Sequence, residues 1–532
     1  MSALVEAAGG DMWERFAAVA EASPRRPALI YGDERYSYAD LKGLAEAAAG
    51  GLAGLGVESG QRVLLLLPHC PEWVAAWLAV VRLEAIAVPV SPLLPPRDLA
   101  FLLDSSGAAA IVAGDDSLAA ALEAAAKAPS RPIVVHAGRS RPSKGHAGVV
   151  SLRQMFAHGT AAPARSGQEA ADLCEILYTS GTTGRPKGVP IGHRALADSA
   201  VVQRANSLPL IPPGEDVIVQ SAPLYHILGQ AFAFGALLSG ERVVLLPRMD
   251  IALLLEAIER NGVKTLFGTP TLFRMILAHE DLGRHDLSSL RYCFSGGEAL
   301  KPALARDWLQ RVGVPLYQGY GATEAVGAIA MVPPGIPCPE GTLGRVAPGR
   351  QVMLVDPETL RPVPPREAGE ALVSGPVMPT SYWNDPDESR RSFVPIAGQT
   401  WYRTGDVVSM DEDGWLFFVD RTADIIKHKG YRIAPARIES VIAEHPAVGE
   451  CCVIGVPHPL VGESIKAFVV PRLGAVCHPD DLAAWCRARL LPYEAPERFE
   501  LVSSLPKSPS GKVLRRVLRE REREAAATSD PG

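Results

Sequence analysis

Hydroxyl-bearing residues and glycines crowd positions 178–188, Tyr-Thr-Ser-Gly-Thr-Thr-Gly-Arg-Pro-Lys-Gly, directly after the apolar segment 173–177. On a turn, such residues let backbone N–H groups surround a polyphosphate, and Lys187 adds a positive charge. The usual P-loop order is absent, because Lys187 follows a proline and precedes a glycine. Such a run on its own is more often a flexible surface loop. The predicted phosphate-binding residues are Thr179, Ser180, Gly181, Thr182, Thr183 and Gly184.

Seven other motifs along the chain contain charged or aromatic residues, in most cases together with glycine. They are 223–226 (Pro-Leu-Tyr-His), 295–299 (Ser-Gly-Gly-Glu-Ala), 318–324 (Gln-Gly-Tyr-Gly-Ala-Thr-Glu), 402–406 (Tyr-Arg-Thr-Gly-Asp), 420–421 (Asp-Arg), 427–432 (Lys-His-Lys-Gly-Tyr-Arg) and 506–512 (Pro-Lys-Ser-Pro-Ser-Gly-Lys). Taken singly, each has an ordinary interpretation: Tyr320 as a core aromatic, Asp406 as a turn residue, Lys512 as a solvated surface lysine. Their joint occurrence favours a functional interpretation.

Together with the loop at 178–188, these motifs resemble those of the adenylate-forming superfamily, in the same order and over nearly the whole chain. That superfamily includes acyl-CoA synthetases, coumarate-CoA ligases, luciferases and nonribosomal adenylation domains. The resemblance implies an AMP-forming acyl-CoA synthetase, which joins a carboxylic acid to AMP and then passes the acyl group to coenzyme A. The implied cofactors and substrates are ATP, Mg2+, coenzyme A and a small carboxylic acid.

The resemblance also assigns residues to the nucleotide. Attack of a carboxylate on the α-phosphorus builds negative charge that the protein must neutralise. The catalytic residues implied are Lys187, His226, Glu324 as the Mg2+ ligand, and Lys512 at the α-phosphate. The other ATP- or AMP-binding residues implied are Gly297, Glu298 and Ala299 at the purine edge, Gln318, Gly319, Tyr320 stacked on adenine, Thr323 at the α-phosphate, Asp406 and Arg421 at the ribose, and Lys427 and Arg432 near AMP.

His226 stands where amino-acid-activating relatives usually carry an aspartate that pairs with the substrate's α-ammonium. A lone histidine beside apolar residues is more often a core residue than a catalytic one. Because nothing else is placed to neutralise an α-ammonium, an acid without an α-amine is favoured. The acyl pocket implied by the resemblance is lined by His226, Gly229, Phe232, Gly296, Gly319, Val326 and Ile329. Its apolar, glycine-rich character suits a medium chain or a ring.

Thioester formation requires a thiol to reach the adenylate, and a glycine permits close backbone approach. Gly430 fits that role by resemblance, and Lys429 and Arg248 are the candidates for the phosphates of coenzyme A. The chain departs from its relatives at Ala423, the expected hinge, where Asp or Lys is common. It departs again at Arg437, where relatives often carry a glutamate.

The order of apolar runs predicts the elements that position these residues. Short strands at 28–31, 35–38, 62–67 and onwards to 292–295 alternate with helices, which predicts doubly wound α/β subdomains. Dense Pro and Gly then favour a small β-subdomain at about 333–420. A chain of 532 residues needs more than one core. We expect a large N-terminal adenylation domain at 1–420, a hinge near 421–423 and a small mobile α+β domain at 424–532.

Composition narrows the class of protein. With 47% hydrophobic residues, 21% charged residues and a formal charge of -6, the chain is an ordinary soluble type with no sign of a nucleic-acid partner. The eight cysteines show no C-x-x-C spacing and suit reduced thiols.

The most apolar stretch, 73–90, contains Arg82 and Glu84, so it predicts a buried helix and strand rather than stable membrane insertion. Glu6 and Asp11 precede any basic residue, unlike a secretion signal. We expect a cytoplasmic monomer or homodimer.

Three alternatives remain open. The same adenylation could end on a carrier-protein thiol or on an amine, as in an amide ligase. A catalytically inactive nucleotide-binding relative is disfavoured because the key residues are intact. Those residues are Lys187, Glu324, Asp406, Arg421 and Lys512. Light emission of the luciferase type is compatible with such a scaffold, although no feature of the sequence indicates it.

Overall fold

The computed structural model describes residues 10–139, 149–165, 172–180, 186–421, 424–428, 431–458, 461–507 and 513–528. The chain divides into two compact units. The first unit comprises Met1–Val352, Val373–Arg403 and Gly414–Leu416, and the second comprises Met353–Leu372, Thr404–Asp413 and Phe417–Gly532. The predicted domain boundary near 420 and the hinge at 421–423 stay predictions.

Two sheets form the framework of the first unit. Its strands are β1 Pro27–Tyr31, β2 Glu34–Ser37, β3 Arg62–Leu66, β4 Ile86–Pro89, β5 Ala110–Ala113, β6 Ile133–His136, β7 Val150–Ser151, β8 Leu173–Ser180, β9 Pro186–Gly192, β10 Val217–Val219, β11 Arg242–Leu245, β12 Thr265–Gly268, β13 Tyr292–Ser295, β14 Leu316–Ala322, β15 Gly327–Met331 and β16 Gly344–Val346. One sheet has the order β7-β6-β5-β3-β4-β8-β9, and the other includes β2-β1-β11-β10-β12-β13-β14-β15-β16.

Most of the neighbouring strands named above are parallel, and four pairs are antiparallel. In the first sheet only β8 and β9 are antiparallel among the described pairs. In the second sheet β1 to β2, β14 to β15 and β15 to β16 are antiparallel, and the pairs between β1 and β14 are parallel. Parallel neighbours joined through helices are the doubly wound arrangement that the sequence predicted, and the predicted fold class is confirmed.

Helices connect the strands of the first unit. They are α1 Met12–Ala22, α2 Tyr38–Gly54, α3 Pro71–Arg82, α4 Pro96–Ser106, α5 Leu118–Lys127, α6 Leu152–His158, α7 His193–Ser207, α8 Ile227–Leu238, α9 Ile251–Asn261, α10 Pro270–Ala278, the 3-10 turn Leu282–Arg284, α11 Pro302–Val312 and α12 Pro386–Ser392. Helix α3 and strand β4 are almost wholly buried, as predicted for 73–90. None of the described helices is long and apolar enough to cross a membrane.

Tyr38 begins helix α2, although the sequence predicted that it ends a strand. Ser37 supplies the helix cap, because its side chain accepts a hydrogen bond from the N–H of Asp40, and the Asp40 carboxylate accepts one from the backbone N–H of Ser37. The Tyr38 hydroxyl donates to the backbone oxygens of Leu237 at 3.0 Å and Glu241 at 2.8 Å. The aromatic residue that favoured a strand is therefore an anchor of the helix.

Each of four strands has some residues in the first unit and the rest in the second. One further strand lies entirely in the first unit. The four are β17 Gln351–Val355, β18 Gly369–Ser374, β20 Gln399–Met410 and β21 Trp415–Arg421. The fifth, β19 Phe393–Ile396, pairs antiparallel with residues 399–402. The region thus contains several strands, one of them 12 residues long, and the predicted bounds of a small β-subdomain at about 333–420 stay a prediction.

The remainder of the second unit is an α+β structure. Its elements are β22 Ile426–His428, β23 Tyr431–Ile433, α13 Pro435–Ala443, β24 Val448–His458, β25 Gly462–Pro471, α14 Pro479–Arg487, β26 Arg498–Leu501 and α15 Arg515–Thr528. The sheet has the order β23-β22-β25-β24, with β26 parallel to β25. Ile438 and Leu482 from α13 and α14 are buried with Ile465 of β25 in one apolar cluster.

One carboxylate lies in the core of the first unit. Glu175 of β8 is fully buried, and its Oε2 accepts hydrogen bonds from Trp77 Nε1 at 3.1 Å and Gln230 Nε2 at 3.0 Å. Its Oε1 has no hydrogen-bond partner among the described residues. Burial raises the pKa of Glu175 to about 7, although the two hydrogen bonds act in the opposite direction.

This shift predicts a pH-dependent stability. The folded pKa of Glu175 lies above its ordinary value of 4.5, so the folded state holds the proton longer and its stability falls as pH rises from about 4.5 to about 7. Glu175→Gln removes this titration. Relative to the variant, the wild type should lose about 2 kcal/mol of unfolding free energy between pH 5 and pH 7.5. Urea unfolding of both proteins at the two pH values measures the difference, and equal pH dependence in both would contradict the shift.

Candidate active site

Lys187 lies near the start of β9, where the β8–β9 hairpin pairs it with Thr179. Its ammonium group forms an ion pair with the Glu388 carboxylate of α12 and lies 5.3 Å from the centre of the Tyr382 ring. Only 10% of the Lys187 side chain is exposed. Partial burial alone would raise the pKa of Glu388, but the hydrogen bond and charge of Lys187 bring it below its usual range. Glu388 is therefore ionised at neutral pH.

Glu324 follows β14 and is 8% exposed, and Thr323 beside it is half-buried. The Tyr382 hydroxyl donates a hydrogen bond to Glu324 Oε1 at 2.8 Å. Burial and then the Glu324 charge raise the pKa of Tyr382 above its usual range, so the hydroxyl keeps its proton. Tyr382 thus contacts both the predicted metal ligand and the predicted phosphate-binding lysine.

A single buried carboxylate is compatible with a magnesium site of a particular kind. Proteins often hold Mg2+ through one or two carboxylates while substrate phosphates and water complete the octahedron. Within the described ranges no group of three or more His, Cys, Asp or Glu side chains could hold a metal ion by itself. Glu324 therefore fits as a ligand for Mg2+ that arrives with a nucleotide.

The predicted adenine residues lie near the carboxyl ends of β13 and β14, where Ser295 pairs with Gln318. Gly297, Glu298 and Ala299 directly follow β13, and Gly319 and Tyr320 continue β14. Gly297 has a φ of +82°, a left-handed conformation that favours glycine. Glu298 is half-buried and its carboxylate accepts a 3.4 Å hydrogen bond from the Thr271 hydroxyl. The carboxyl edge of a parallel sheet is where α/β proteins bind ligands.

Aromatic rings fill much of the space around the predicted acyl pocket. The Phe232 ring stacks on Phe267 with 4.0 Å between centroids and lies 5.3 Å from Phe294. A Cβ at Gly319 would come within 2.2 Å of the Phe294 ring, and one at Gly296 within 3.2 Å. These two glycines therefore make room for a phenylalanine of this chain.

The remaining predicted pocket residues, Gly229, Val326 and Ile329, pack against different parts of the first unit. Gly229 of α8 packs on the backbone, because a Cβ there would lie 2.2 Å from the Pro223 oxygen. Val326 is buried and adopts a positive φ of +50°. Ile329 packs in a separate small cluster with Ala325, against Tyr320. Glycine at 229 is thus required by the packing of α8 against the backbone at Pro223.

His226 has a histidine neighbour that the sequence did not single out. The backbone N–H of Leu224 donates to His69 Nε2 at 3.2 Å, so His69 accepts as a neutral imidazole. Burial, and then the proximity of His226, lowers the pKa of His69 to about 4. His226 itself precedes the first residue of α8, and its ring lies 4.9 Å from that of Tyr225.

Sequence reasoning missed Tyr382, Glu388 and His69 as members of this site. The Tyr382 to Glu324 contact joins residues 58 positions apart, and the Glu388 to Lys187 contact joins residues 201 positions apart. No local spacing links such pairs. The signal available in the sequence was the short polar segment of α12, which begins four residues after Tyr382.

The predicted ribose residues belong to the second unit. Asp406 is 4% exposed, and its Oδ1 lies 2.6 Å from Arg421 Nε, while its backbone N–H donates to the Thr404 hydroxyl. Lys427 and Arg432 pair across the β22–β23 hairpin. Asp406 and Arg421 are thus in contact, as two residues that act on one ribose would require.

Arg248, a predicted coenzyme A residue, lies between β11 and α9 in the first unit. Its side chain is 73% exposed and its Nη2 lies 3.5 Å from Asp250. Several predicted residues lie outside the described part of the chain: Gly181, Thr182, Thr183, Gly184, Ala423, Lys429, Gly430 and Lys512. The side chains of Ser180, Lys427 and Arg432 lie outside it as well.

Known proteins are similar to this chain in both sequence and fold. Residues 16–383 match the family of AMP-binding enzymes, and residues 437–512 match the AMP-binding enzyme C-terminal domain. A long-chain-fatty-acid–CoA ligase of Salmonella typhimurium is 32% identical, over 94% of this chain and 92% of that protein. A feruloyl-CoA synthase of an Amycolatopsis species is 33% identical, over 94% of this chain and 97% of that protein.

A solved structure gives the same result for the fold. The crystal structure of the anthranilate CoA ligase AuaEII with anthranoyl-AMP has a TM-score of 0.85 at 27% identity, covering 98% of this chain and 99% of that one. The chain therefore belongs to the family of AMP-binding enzymes, the adenylate-forming class that its motifs resemble.

The aromatic filling of the pocket predicts a specificity change. Phe294→Leu should enlarge the space beside Gly319 and improve kcat/KM for bulkier acids by about 10-fold relative to small ones. Phe273→Leu is the matched control, because Phe273 is equally buried but packs on Trp308 in a different cluster. Steady-state kinetics with acids of increasing size measure the change. A similar profile for both variants would contradict the position assigned to Phe294.

Proposed function

We propose that this protein is an AMP-forming acyl-CoA synthetase for a carboxylic acid without an α-amine. The observation that carries the proposal is the joint contact of Tyr382 with Lys187 and Glu324, beside the hairpin of the phosphate loop. A cation and a carboxylate that both contact one tyrosine suit a polyphosphate and its metal ion. The relatives that are 32% and 33% identical are themselves ligases that form CoA thioesters.

In the first half-reaction the acid's carboxylate oxygen bonds to the α-phosphorus of ATP, and the bond to pyrophosphate breaks. Lys187 would neutralise charge on the departing phosphates, and Lys512 would stabilise the charge that develops at the α-phosphate. Mg2+, when bound, would lower the cost of gathering these phosphate charges. Glu324 is the residue that would hold it.

In the second half-reaction the thiolate of coenzyme A bonds to the acyl carbon, and AMP leaves as the acyl–oxygen bond breaks. Gly430, Lys429 and Arg248 are proposed for coenzyme A, and Asp406 and Arg421 for the ribose of the nucleotide. Ala423 is proposed as the hinge between the two steps. A cytoplasmic location and a monomer or homodimer are parts of the same proposal that rest on the sequence.

The acceptor is tested by product analysis. A mixture of protein, ATP, Mg2+ and a panel of acids is supplied in turn with coenzyme A, a phosphopantetheinyl carrier protein or simple amines, and products are weighed by mass spectrometry. We expect AMP, pyrophosphate and an acyl-CoA. An acyl-carrier protein or an amide in place of acyl-CoA would favour the alternative acceptors, and the absence of AMP with every acid would contradict the proposal.

Lys512→Ala should lower the rate of adenylate formation by about 100- to 1000-fold, because this lysine acts on charge that appears in the transition state. ATP binding should change little. Lys507→Ala is the control, since Lys507 lies nearby in sequence, is 40% exposed and pairs with Glu450. Single-turnover formation of acyl-AMP measures the rate. A Lys512→Ala protein that matches the Lys507→Ala protein would refute the role.

A further inference from the structure

Tyr382 touches two oppositely charged side chains with two different parts of itself. The Lys187 ammonium lies 5.3 Å from the ring centre, a distance at which a cation is attracted to an aromatic face. The hydroxyl donates to the Glu324 carboxylate at 2.8 Å. Ring and hydroxyl therefore have separate contacts, which can be removed one at a time.

The surroundings of Tyr382 hold the ring in place. The residue is 5% exposed, and its ring packs edge-on against Phe393 with 5.3 Å between centroids. Its backbone N–H donates to the Ser389 hydroxyl at 2.9 Å. The next residue, Trp383, donates its backbone N–H to the Gly188 oxygen at 2.7 Å, so the segment is tied to the strand that carries Lys187.

Glu388 completes the arrangement on the other side of Lys187. Its carboxylate pairs with the Lys187 ammonium and also accepts a 3.2 Å hydrogen bond from the Ser392 hydroxyl. An ammonium group has three N–H donors, so the pair with Glu388 leaves donors for a phosphate. Lys187 is thus fixed in position and still able to bind an anion.

We propose that Tyr382 is a positioning residue that sets the distance between the Lys187 ammonium and the Glu324 carboxylate, so that a nucleotide polyphosphate and its divalent cation bind together. The inference rests on the proposed function and adds a residue to it. The ring aligns the lysine for the phosphates. The hydroxyl orients the carboxylate toward the cation, which Glu324 alone could not do because a carboxylate rotates freely about its last bond.

Two variants separate these contributions. Tyr382→Phe keeps the ring and loses the hydroxyl, whereas Tyr382→Leu loses both. Tyr38→Phe is the matched control, because Tyr38 is also a buried tyrosine whose hydroxyl donates hydrogen bonds, to Leu237 and Glu241. Calorimetric titration with a non-hydrolysable ATP analogue, with and without Mg2+, gives the nucleotide affinity and its enhancement by the metal.

For Tyr382→Phe we expect metal-free binding within about 2-fold of wild type and a loss of about 10-fold in the Mg2+ enhancement, since a hydrogen bond to a charged group is removed. Tyr382→Leu should also weaken metal-free binding, by about 5-fold, because the ring contact with the lysine is lost. Tyr38→Phe should change the melting temperature at most.

The outcomes separate this inference from the proposed function. If the wild-type protein binds no nucleotide with or without Mg2+, the proposed function itself fails. If the wild type binds and Tyr382→Phe retains the full Mg2+ enhancement, the positioning role is overturned. Equal weakening with and without Mg2+ would overturn it as well, because a purely structural tyrosine would give that result. Should Tyr382→Leu not fold, Tyr382→Phe and Tyr38→Phe still decide the question.

Discussion

The candidate site depends on holding opposite charges close together with little exposure to water. An isolated charge removed from water is costly, and a buried ion pair is stable only when further hydrogen bonds satisfy it. Lys187, Glu388 and Glu324 meet this requirement around the neutral ring of Tyr382, whose hydroxyl serves one carboxylate while its face serves the ammonium. Such an arrangement is preorganised for a polyanion that carries its own metal ion.

The architecture of the first unit delivers these side chains from separate parts of the chain. Lys187 comes from the β8–β9 hairpin, Glu324 from the end of β14, and Tyr382 and Glu388 from the segment around α12. The carboxyl edge of β13 and β14 adds the residues predicted for adenine. The fold is common to ligases whose acids differ widely, as the fatty-acid, feruloyl and anthranilate relatives show by name. The fold alone therefore does not set the choice of acid, and Phe294, beside Gly319, is our candidate for a side chain that does.

The residues that the sequence proposed for the site lie in short contiguous motifs. The loop at 178–188 and the segment at 318–324 were recognisable because several chemically useful residues stand side by side. The parallel sheets and the α+β end of the chain were also predictable, since the apolar runs recur with strand and helix periods. Tyr38 was assigned to a strand because propensity favours it there, while the Ser37 cap and two long-range hydrogen bonds place it in a helix.

Contacts between distant residues were beyond such reasoning. Nothing near Tyr382 in the sequence shows that Glu324 accepts a hydrogen bond from its hydroxyl, or that Lys187 lies near its ring. Glycines were misleading in a similar way, since Gly319 suggested open space but lies against the Phe294 ring. A glycine in the sequence indicates only that another atom can lie close to its Cα. The structure is needed to tell whether that atom belongs to a ligand or to a neighbouring side chain.

If a carboxylate oxygen of the acid attacks the α-phosphorus of ATP, that oxygen must appear in the AMP that is released, and an isotope experiment can detect it. An accepted acid labelled with 18O in its carboxylate is converted in the presence of ATP, Mg2+ and coenzyme A, and the nucleotide product is weighed. We expect AMP that carries one 18O atom, because the bridging oxygen of the acyl-adenylate stays with phosphorus when the thiol displaces AMP. Label in inorganic phosphate with ADP as the nucleotide, or AMP without label, would contradict it.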